Sequence, residues 1–168
     1  PVMGHAPYTF NLAGVYEDGR EACALFLQEE LTGENAEFYH YYNVHPGGHK
    51  KHGVQKGILL AAEMLNRVLS PGQKPILTLE NLSGQGTEIG RTFEELREIL
   101  DHIILQEKVG ICLDLCHLFC SGYDVAGDLD GVMSAFDKII GISRLKAVHL
   151  NDSYYEFASH MDRHTALG

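Results

Sequence analysis

VGICLDLCHLFCSGYD, residues 109–124, carries the clearest structural signal in the chain. Its first five residues form an unbroken apolar run, which is typical of a strand covered on both faces in a parallel sheet. Asp114 follows where this strand should end, and His117 comes three residues later on a predicted turn. A carboxylate and an imidazole at a strand end are metal-ligand types, although an aspartate that caps the next turn beside a packed histidine would give the same pattern.

The same arrangement recurs along the chain. Five apolar or β-branched runs each end in a residue that can bind a metal, and these residues are His5, His45, Glu80, Asp114 and His149. They are 34 to 40 residues apart, close to the roughly 31 residues per unit of an eight-unit (β/α) barrel. Unrelated capping residues would not be expected to be His, Glu or Asp five times. The pattern therefore predicts parallel strands with right-handed helical crossovers, and a metal site where the strand ends converge.

Four helices are predicted between these strands. The first covers residues 20–31, with Ala22, Leu25 and Phe26 on its apolar face. The third follows a capping box of Thr92 and Glu95 and continues through Ile104. The remaining helices are expected at 54–69 and 129–140, and the second and fifth strands at 38–44 and 145–150.

Length and composition fit an intracellular, cytoplasmic globular domain. The chain has 168 residues, of which 45% are hydrophobic and 21% charged, enough for one sizeable core. No apolar run is long enough for a membrane span, and no signal peptide is expected. The four cysteines lack CxxC spacing and are expected to be reduced. The net charge of −10 disfavours a phosphate-bearing partner, but divalent cations bound by several of the acids would cancel charge at the site.

An Asp-x-His pair follows the fifth strand near the same predicted mouth. Asp162 and His164, together with His117, give more candidate ligands than one tetrahedral zinc ion needs. Nitrogen and oxygen donors without thiolate suit zinc, manganese or iron. Two or three such ions about 3.5 to 4 Å apart serve phosphoester hydrolysis. The residues alone therefore favour a metallo-phosphoesterase.

Six ordered segments resemble the signatures of endonuclease IV, the metal-dependent apurinic/apyrimidinic endonucleases. The segments are HAPYTFNL, NVHPGGH, LENLSGQGTEIG, VGICLDLCHLFCSGYD, HLNDS and SHMDRHTALG, and they span essentially the whole chain. This resemblance implies a (β/α)8 barrel with three zinc ions that cuts double-stranded DNA on the 5′ side of abasic sites. The expected products are a 3′-hydroxyl and a 5′-deoxyribose phosphate, and a 3′-phosphodiesterase repair activity is a further expectation.

The resemblance also implies a role for each matched residue. The expected zinc sets are His5, His45 and Glu80; Glu80, Asp114 and His149; and His117, Asp162 and His164. Glu80 would bridge the first two ions and help to orient the attacking hydroxide, which makes it the expected catalytic residue. Three further residues match positions that meet the opened DNA, and they are Tyr8, Gln85 and Arg163. Manganese is an alternative to zinc.

Chains of the resembled family run longer at both ends. Residues 1–168 are therefore expected to form a single domain, a partial barrel of about five units that lacks the first two units and the last strand. That last strand supplies a glutamate to the second zinc. We accordingly expect the second site to be one ligand short and weak, and the third site to be retained. Open sheet edges would allow an oligomer to form.

Two other functions stay open at this level. A metal-dependent sugar isomerase or epimerase of the xylose-isomerase-like barrels would also place His, Glu and Asp at strand ends, but it lacks the separate pair of Asp162 and His164. An inactive metal-binding barrel fragment is the other alternative. The remaining histidines match no ligand position and are expected to be surface or packing residues: His40, His49, His52, His102 and His160.

Overall fold

Five parallel strands form an open sheet in chain order. The structure, a computed structural model, describes residues 1–168. Each strand pairs with its neighbours in sequence, and all four pairings are parallel. The strands are β1 Met3–His5, β2 Tyr41–Val44, β3 Ile76–Glu80, β4 Val109–Asp114 and β5 Leu145–His149. The predicted five-stranded parallel α/β arrangement is confirmed.

Helices connect the strands. They are α1 Glu17–Thr32, α2 Val54–Val68, α3 Phe93–Asp101, α4 Leu115–Ser121 and α5 Leu129–Ile139. Two short antiparallel strands follow β5, namely β6 Asp152–Ser153 and β7 His164–Thr165. None of the helices combines the length and the hydropathy that crossing a membrane would need.

The core lies between the sheet and the helices. All six residues of β4 are buried, as its apolar run predicted. The apolar side chains of β3, Leu77 and Leu79, are fully buried as well. Helix α2 packs against both α1 and α3, so the helices form a continuous layer over the sheet. The strongly buried centre of the sheet therefore fixes the positions of the strand ends.

The buried face of α1 differs from the predicted one. Cys23 and Leu27 are buried, whereas Ala22, Leu25 and Phe26 are exposed. The helix also begins earlier than predicted, at residue 17. Its apolar residues are spread around much of the surface, so that the sequence alone did not determine which side faces inward.

A buried arginine determines the orientation of α1. The Arg20 guanidinium donates to the carbonyl oxygens of Leu12 and Gly14 at 3.1 and 3.0 Å. It also pairs with the Glu63 carboxylate on α2 at 3.1 Å. A buried charge needs such partners, so these contacts turn the Arg20 side of the helix inward.

The turn predicted after β4 is a helix. Asp114 caps α4, because its side chain accepts a hydrogen bond from the backbone N–H of His117 at 2.9 Å. His117 therefore lies in the first turn of α4. The helix ends at Gly122, whose φ of 105° gives the left-handed conformation that a non-glycine residue rarely adopts. Asp114 therefore both ends β4 and caps α4.

Two other predicted boundaries were wrong. Strand β2 begins at Tyr41, because residues Glu34–Phe38 form a 3-10 helix instead. Helix α3 ends at Asp101, which leaves Ile104 exposed beyond it. Both differences lie at element ends, where local turns compete with the regular structure.

One of the two hydrogen bonds of the predicted capping box of α3 is present, and the Glu95 side chain bonds the backbone before Thr92 instead. The Thr92 hydroxyl oxygen accepts from the Glu95 N–H at 3.2 Å, and the Glu95 carboxylate accepts from the Gly90 N–H at 2.7 Å. We expect Thr92→Ala to lower the free energy of unfolding by about 1 kcal/mol, measured by urea denaturation. Thr32→Ala at the exposed end of α1 is the matched control, with an expected change within about 0.5 kcal/mol. Equal losses in the two variants would contradict the capping role.

Candidate metal centre

Four histidines converge on the carboxylate of Glu80. Oε2 of Glu80 lies 3.3 Å from Nε2 of His5 and 3.3 Å from Nε2 of His45. Oε1 lies 3.2 Å from Nδ1 of His149 and 3.3 Å from Nδ1 of His117. Each carboxylate oxygen therefore faces a different pair of imidazole rings.

The strand register explains this convergence. His5 ends β1, Glu80 ends β3, and His45 follows the last residue of β2. Asp114 at the end of β4 is the direct register partner of His149 at the end of β5. The carboxyl ends of parallel strands meet at one edge of the sheet, so these residues are brought together there.

The third predicted set is assembled by the segment after β5. Asp162 Oδ1 lies 3.3 Å from Nε2 of His117 and 3.2 Å from Nε2 of His164. The Nε2 atoms of the two histidines are 3.3 Å apart. Gln85 contributes to this geometry, because its side-chain oxygen accepts from the Asp162 backbone N–H at 2.9 Å.

In the second predicted set, which is Glu80, Asp114 and His149, the histidine lies close to both acids. Its Nδ1 lies 3.2 Å from Glu80 Oε1 and 3.5 Å from Asp114 Oδ2. Asp114 Oδ2 in turn lies 3.7 Å from Nε2 of His164. The three predicted sets therefore form one continuous cluster of candidate ligands.

Two ring hydrogen bonds fix where imidazole lone pairs point. Nδ1 of His5 lies 2.7 Å from the carbonyl oxygen of Ala6, and Nδ1 of His117 lies 2.9 Å from that of Asn81. A carbonyl oxygen only accepts, so Nδ1 is the donor in both rings. Nε2 of His5 then faces Glu80. A ring anchored in this way by a backbone carbonyl is typical of metal-ligating histidines.

Buried negative charge is concentrated in this cluster. Glu80 and Asp114 are 1% and 0% exposed. Every ion pair that they form is with a histidine, and none is with lysine or arginine. A buried carboxylate needs a positive partner. Protons on the imidazoles or bound cations must therefore provide the compensating charge.

The pKa values of these groups reflect the same imbalance. Burial opposes ionisation of Glu80, but hydrogen bonds with His117 and His149, followed by the other two rings, outweigh it and hold the pKa of Glu80 well below its ordinary value. Burial also opposes the charge on His117, yet hydrogen bonds with Asp162 and Glu80 raise its pKa to about 11. Hydrogen bonding to Asp114 is the largest cause that raises the pKa of His149 to about 12. A cluster that attracts protons so strongly also favours divalent cations, which compete with protons for the same atoms.

The spacing of the donor atoms fits a tetrahedral cation. Zinc binds nitrogen and oxygen at about 2.0–2.1 Å, which makes the edge of the tetrahedron about 3.3 Å. The atom pairs His5–Glu80, His45–Glu80 and His164–Asp162 are 3.3, 3.3 and 3.2 Å apart. In two of the predicted sets, the three donors all lie within 4.8 Å of one another: His5, His45 and Glu80, and His117, Asp162 and His164. The residues therefore fit divalent cations held by nitrogen and oxygen.

Two amides and a hydroxyl orient the carboxylates, and none of the three was predicted. Asn43 donates to Glu80 Oε2, and its own Oδ1 accepts from the Thr78 hydroxyl at 2.8 Å. Asn151 donates to Asp114 Oδ2 at 2.7 Å. Asn43 lies two residues before a candidate ligand and Asn151 two residues after one. That two-residue period, which places side chains on one face of a strand, was the signal that could have identified them.

The residues expected to contact DNA lie around the cluster. Tyr8 is 84% exposed and lines a cavity of about 480 Å³ together with His45 and Gln85. Arg163 is exposed, and its guanidinium lies 4.8 Å from the centre of the Tyr154 ring. Two of the three residues thus share a cavity, whereas Arg163 stacks on a tyrosine beside the third set. The histidines outside the predicted sets belong to none of the candidate ligand groups: His40, His49, His52, His102 and His160.

Comparisons with known proteins identify relatives along the whole chain. A family model described as xylose isomerase-like TIM barrel matches residues 1–168. The chain is 47% identical over 167 residues to the probable endonuclease 4 of Methanosphaera stadtmanae. It is 48% identical over 169 residues to that of Clostridium beijerinckii. Both matches cover 99% of this chain and 60% of the relative, so the chain spans about three fifths of the length of the curated relatives it matches.

Solved structures show the same relationship. Endonuclease IV from Thermus thermophilus matches with a TM-score of 0.81 and 33% identity, over 98% of this chain and 58% of that one. A D-tagatose 3-epimerase-like protein, at 22% identity and a TM-score of 0.73, shares the fold alone over 94% of this chain and 58% of that one. The predicted partial TIM-barrel fold and the resemblance to endonuclease IV are confirmed. By the family model that matches its whole length, this chain belongs to the xylose isomerase-like TIM barrel family.

Proposed function

We propose that the protein is a zinc-dependent DNA repair endonuclease that hydrolyses the phosphodiester 5′ to abasic sites. The products would be a 3′-hydroxyl and a 5′-deoxyribose phosphate, with 3′-phosphodiesterase activity at the same centre. One observation supports this most directly: imidazole nitrogens and carboxylate oxygens face one another at 3.2 to 3.3 Å in two adjoining sets. The acids of these sets are the buried Glu80 and the exposed Asp162, and the ion pairs of both are with histidines alone. The endonuclease 4 names of the relatives support the choice of substrate.

The proposed ligand sets are those that the resemblance implies. The first comprises His5, His45 and Glu80, the second Glu80, Asp114 and His149, and the third His117, Asp162 and His164. Zinc is the preferred ion and manganese the alternative, because all of these donors are nitrogen or oxygen. When bound, such cations supply Lewis acidity to the phosphoryl group and to the departing oxygen.

The chain's own residues would position the reacting groups. Glu80 faces two pairs of rings with its two oxygens, so it can bridge neighbouring cations and orient the attacking water. Asn43 donates to one of those oxygens and Thr78 in turn donates to Asn43, which limits rotation of the carboxylate. Gln85 would act partly through the backbone of Asp162, to which it is hydrogen-bonded.

Arg163 is proposed to bind a DNA phosphate, since a guanidinium pairs with phosphate through two hydrogen bonds. We expect Arg163→Gln to weaken binding to duplex DNA about tenfold, the loss of roughly one charged hydrogen bond. The slope of log affinity against log salt should fall by about 1. Fluorescence anisotropy over a salt series measures both. Arg97→Gln is the matched control, because Arg97 pairs with Asp101 on α3. An unchanged salt slope for Arg163→Gln would contradict the phosphate contact.

Cleavage of a defined duplex tests the proposed activity. A labelled duplex with one tetrahydrofuran site should be cut once, on the 5′ side of the lesion, and the same duplex without the lesion should stay intact. A chelator should abolish cleavage and added zinc should restore it. Absence of cleavage by protein with verified bound zinc would contradict the proposal. Epimerisation of a ketose by the same preparation would instead support the sugar-enzyme alternative, against which the Asp162 and His164 set argues.

The domain organisation, the location and the oligomeric state of the protein stay predictions. A single domain over residues 1–168 accords with one continuous five-stranded sheet. An intracellular, cytoplasmic location is supported by four cysteines that form no disulfide. Oligomers could form through β1 and β5, because each of these edge strands pairs on one side only.

A further inference from the structure

A thiol lies inside the candidate metal centre. Cys112 belongs to β4 and comes two residues before Asp114, so both side chains leave the strand on the same face. Cys112 is also the direct register partner of Glu80 on β3. Asp114 is the register partner of His149 on β5. Cys112 is therefore next to Glu80. It lies two residues along β4 from Asp114, the register partner of His149.

The donor atoms around this thiol are close enough for one cation. A carboxylate oxygen of Glu80, the sulfur of Cys112 and a ring nitrogen of His149 all lie within 4.8 Å of one another. A tetrahedral ion with a metal–sulfur bond of about 2.3 Å and a metal–nitrogen bond of about 2.0–2.1 Å needs these two donors about 3.6 Å apart. The limit of 4.8 Å exceeds this spacing by about 1.2 Å. Cys112 is fully buried, so bulk water does not compete with the sulfur.

A second thiol, Cys116, lies near the centre but is differently engaged. Its sulfur is grouped with Asp114 and His164, and it also donates to the carbonyl oxygen of Arg163 at 3.9 Å. The sulfur of Cys112, in contrast, is grouped with Glu80 and His149, both of which are candidate ligands in the same set. Of the two thiols, Cys112 is therefore the better placed donor.

We propose that Cys112 supplies a sulfur ligand to this centre, so that Glu80, Cys112 and His149 bind a soft or borderline divalent cation such as Cd²⁺. Thiolate is the donor that such ions prefer over carboxylate. The thiol proton would leave to solvent as the cation takes its place. The proposal rests on the metal centre of the proposed function and deepens it, because the three sets given above contain only nitrogen and oxygen donors.

Titration of the metal-free protein with CdCl₂ tests this assignment. A sulfur-to-cadmium charge-transfer band should grow in the ultraviolet spectrum, while elemental analysis counts the bound cadmium. Cys112→Ser and Cys112→Ala should lose the band. Cys23→Ser should retain it, since Cys23 is buried in α1 rather than at the strand ends. Circular dichroism establishes that each variant is folded. Cys116→Ser should also retain the band, so loss of the band in that variant overturns the assignment even if the Cys112 variants do not fold.

The outcomes distinguish failure of the proposed sulfur ligand from failure of the proposed metal centre. Cadmium bound by the wild type without the band overturns the sulfur ligand and leaves the metal centre intact. A band that persists in the Cys112 variants but disappears in Cys116→Ser assigns the sulfur to Cys116 and overturns the proposal. Failure of the wild type to bind any cadmium overturns both the sulfur ligand and the metal centre.

Discussion

Glu80→Gln is expected to bind zinc more than about 100-fold more weakly than the wild type. Loss of a residue that only orients a ligand costs about 10 to 100-fold in metal affinity, and Glu80 is itself a candidate ligand of two ions. The variant has nearly the same shape, but one oxygen becomes an NH₂ group. In the wild type, ring nitrogens lie 3.2 to 3.3 Å from the Glu80 oxygens. The NH₂ group would face these nitrogens, and it cannot bind a cation because it is only a donor. Competition with a chromophoric chelator measures the affinity.

A glutamate outside the centre provides the matched control for this substitution. Glu94 is exposed in the first turn of α3, and Glu94→Gln removes the same single charge. It should bind zinc as the wild type does. If both variants kept wild-type affinity, Glu80 would not be a ligand. Nuclease activity, if present in the wild type, should disappear in Glu80→Gln alone.

Strand ends were predictable because a strand that is buried on both faces of a parallel sheet is a continuous apolar run in the sequence. The run that forms β4 is apolar throughout, and it stops at Asp114, where the structure ends the strand. Burial of this kind depends on local composition. Orientation of α1 depends instead on where Arg20 finds carbonyl and carboxylate partners, and those partners lie in other segments. Helix α4 has only seven residues, too few for a helical period to be distinguished.

In the candidate site, too, the positions at the strand ends could be predicted, whereas the contacts between segments could not. Residues at successive strand ends converge whatever the surrounding side chains are, so the positions of His5, His45 and Glu80 could be inferred. The two-residue period could have placed Asn43 on the same face as His45. Its hydrogen bond with Glu80 could not be inferred, because it depends on the register between the adjacent strands β2 and β3. The sulfur donor proposed above, Cys112, was not considered, although a residue two positions from a ligand on a strand shares its face.

Removal of bound zinc is expected to lower the melting temperature by about 5 to 11 °C. A ligand that binds only the folded state adds about 2.7 kcal/mol when its concentration is 100 times Kd. In a chain of 168 residues, each kcal/mol corresponds to a shift of about 2 to 4 °C. The sign follows from the structure, because Glu80 and Asp114 are buried with only histidines to compensate them. A chelator leaves that charge to be balanced by protons alone.

Thermal melts of the chelated and the zinc-reconstituted protein measure this shift, and variants identify its origin. Glu94→Gln should keep the full difference between the two forms. Glu80→Gln should lose most of it, because it has fewer ligands to hold the cation and less buried charge to neutralise. The same reduction in both variants would mean that zinc stabilises the protein through surface acids. Identical melts with and without zinc in the wild type would mean that imidazolium protons are sufficient, and the histidines around Glu80 would then be an ion-pair network rather than a metal centre.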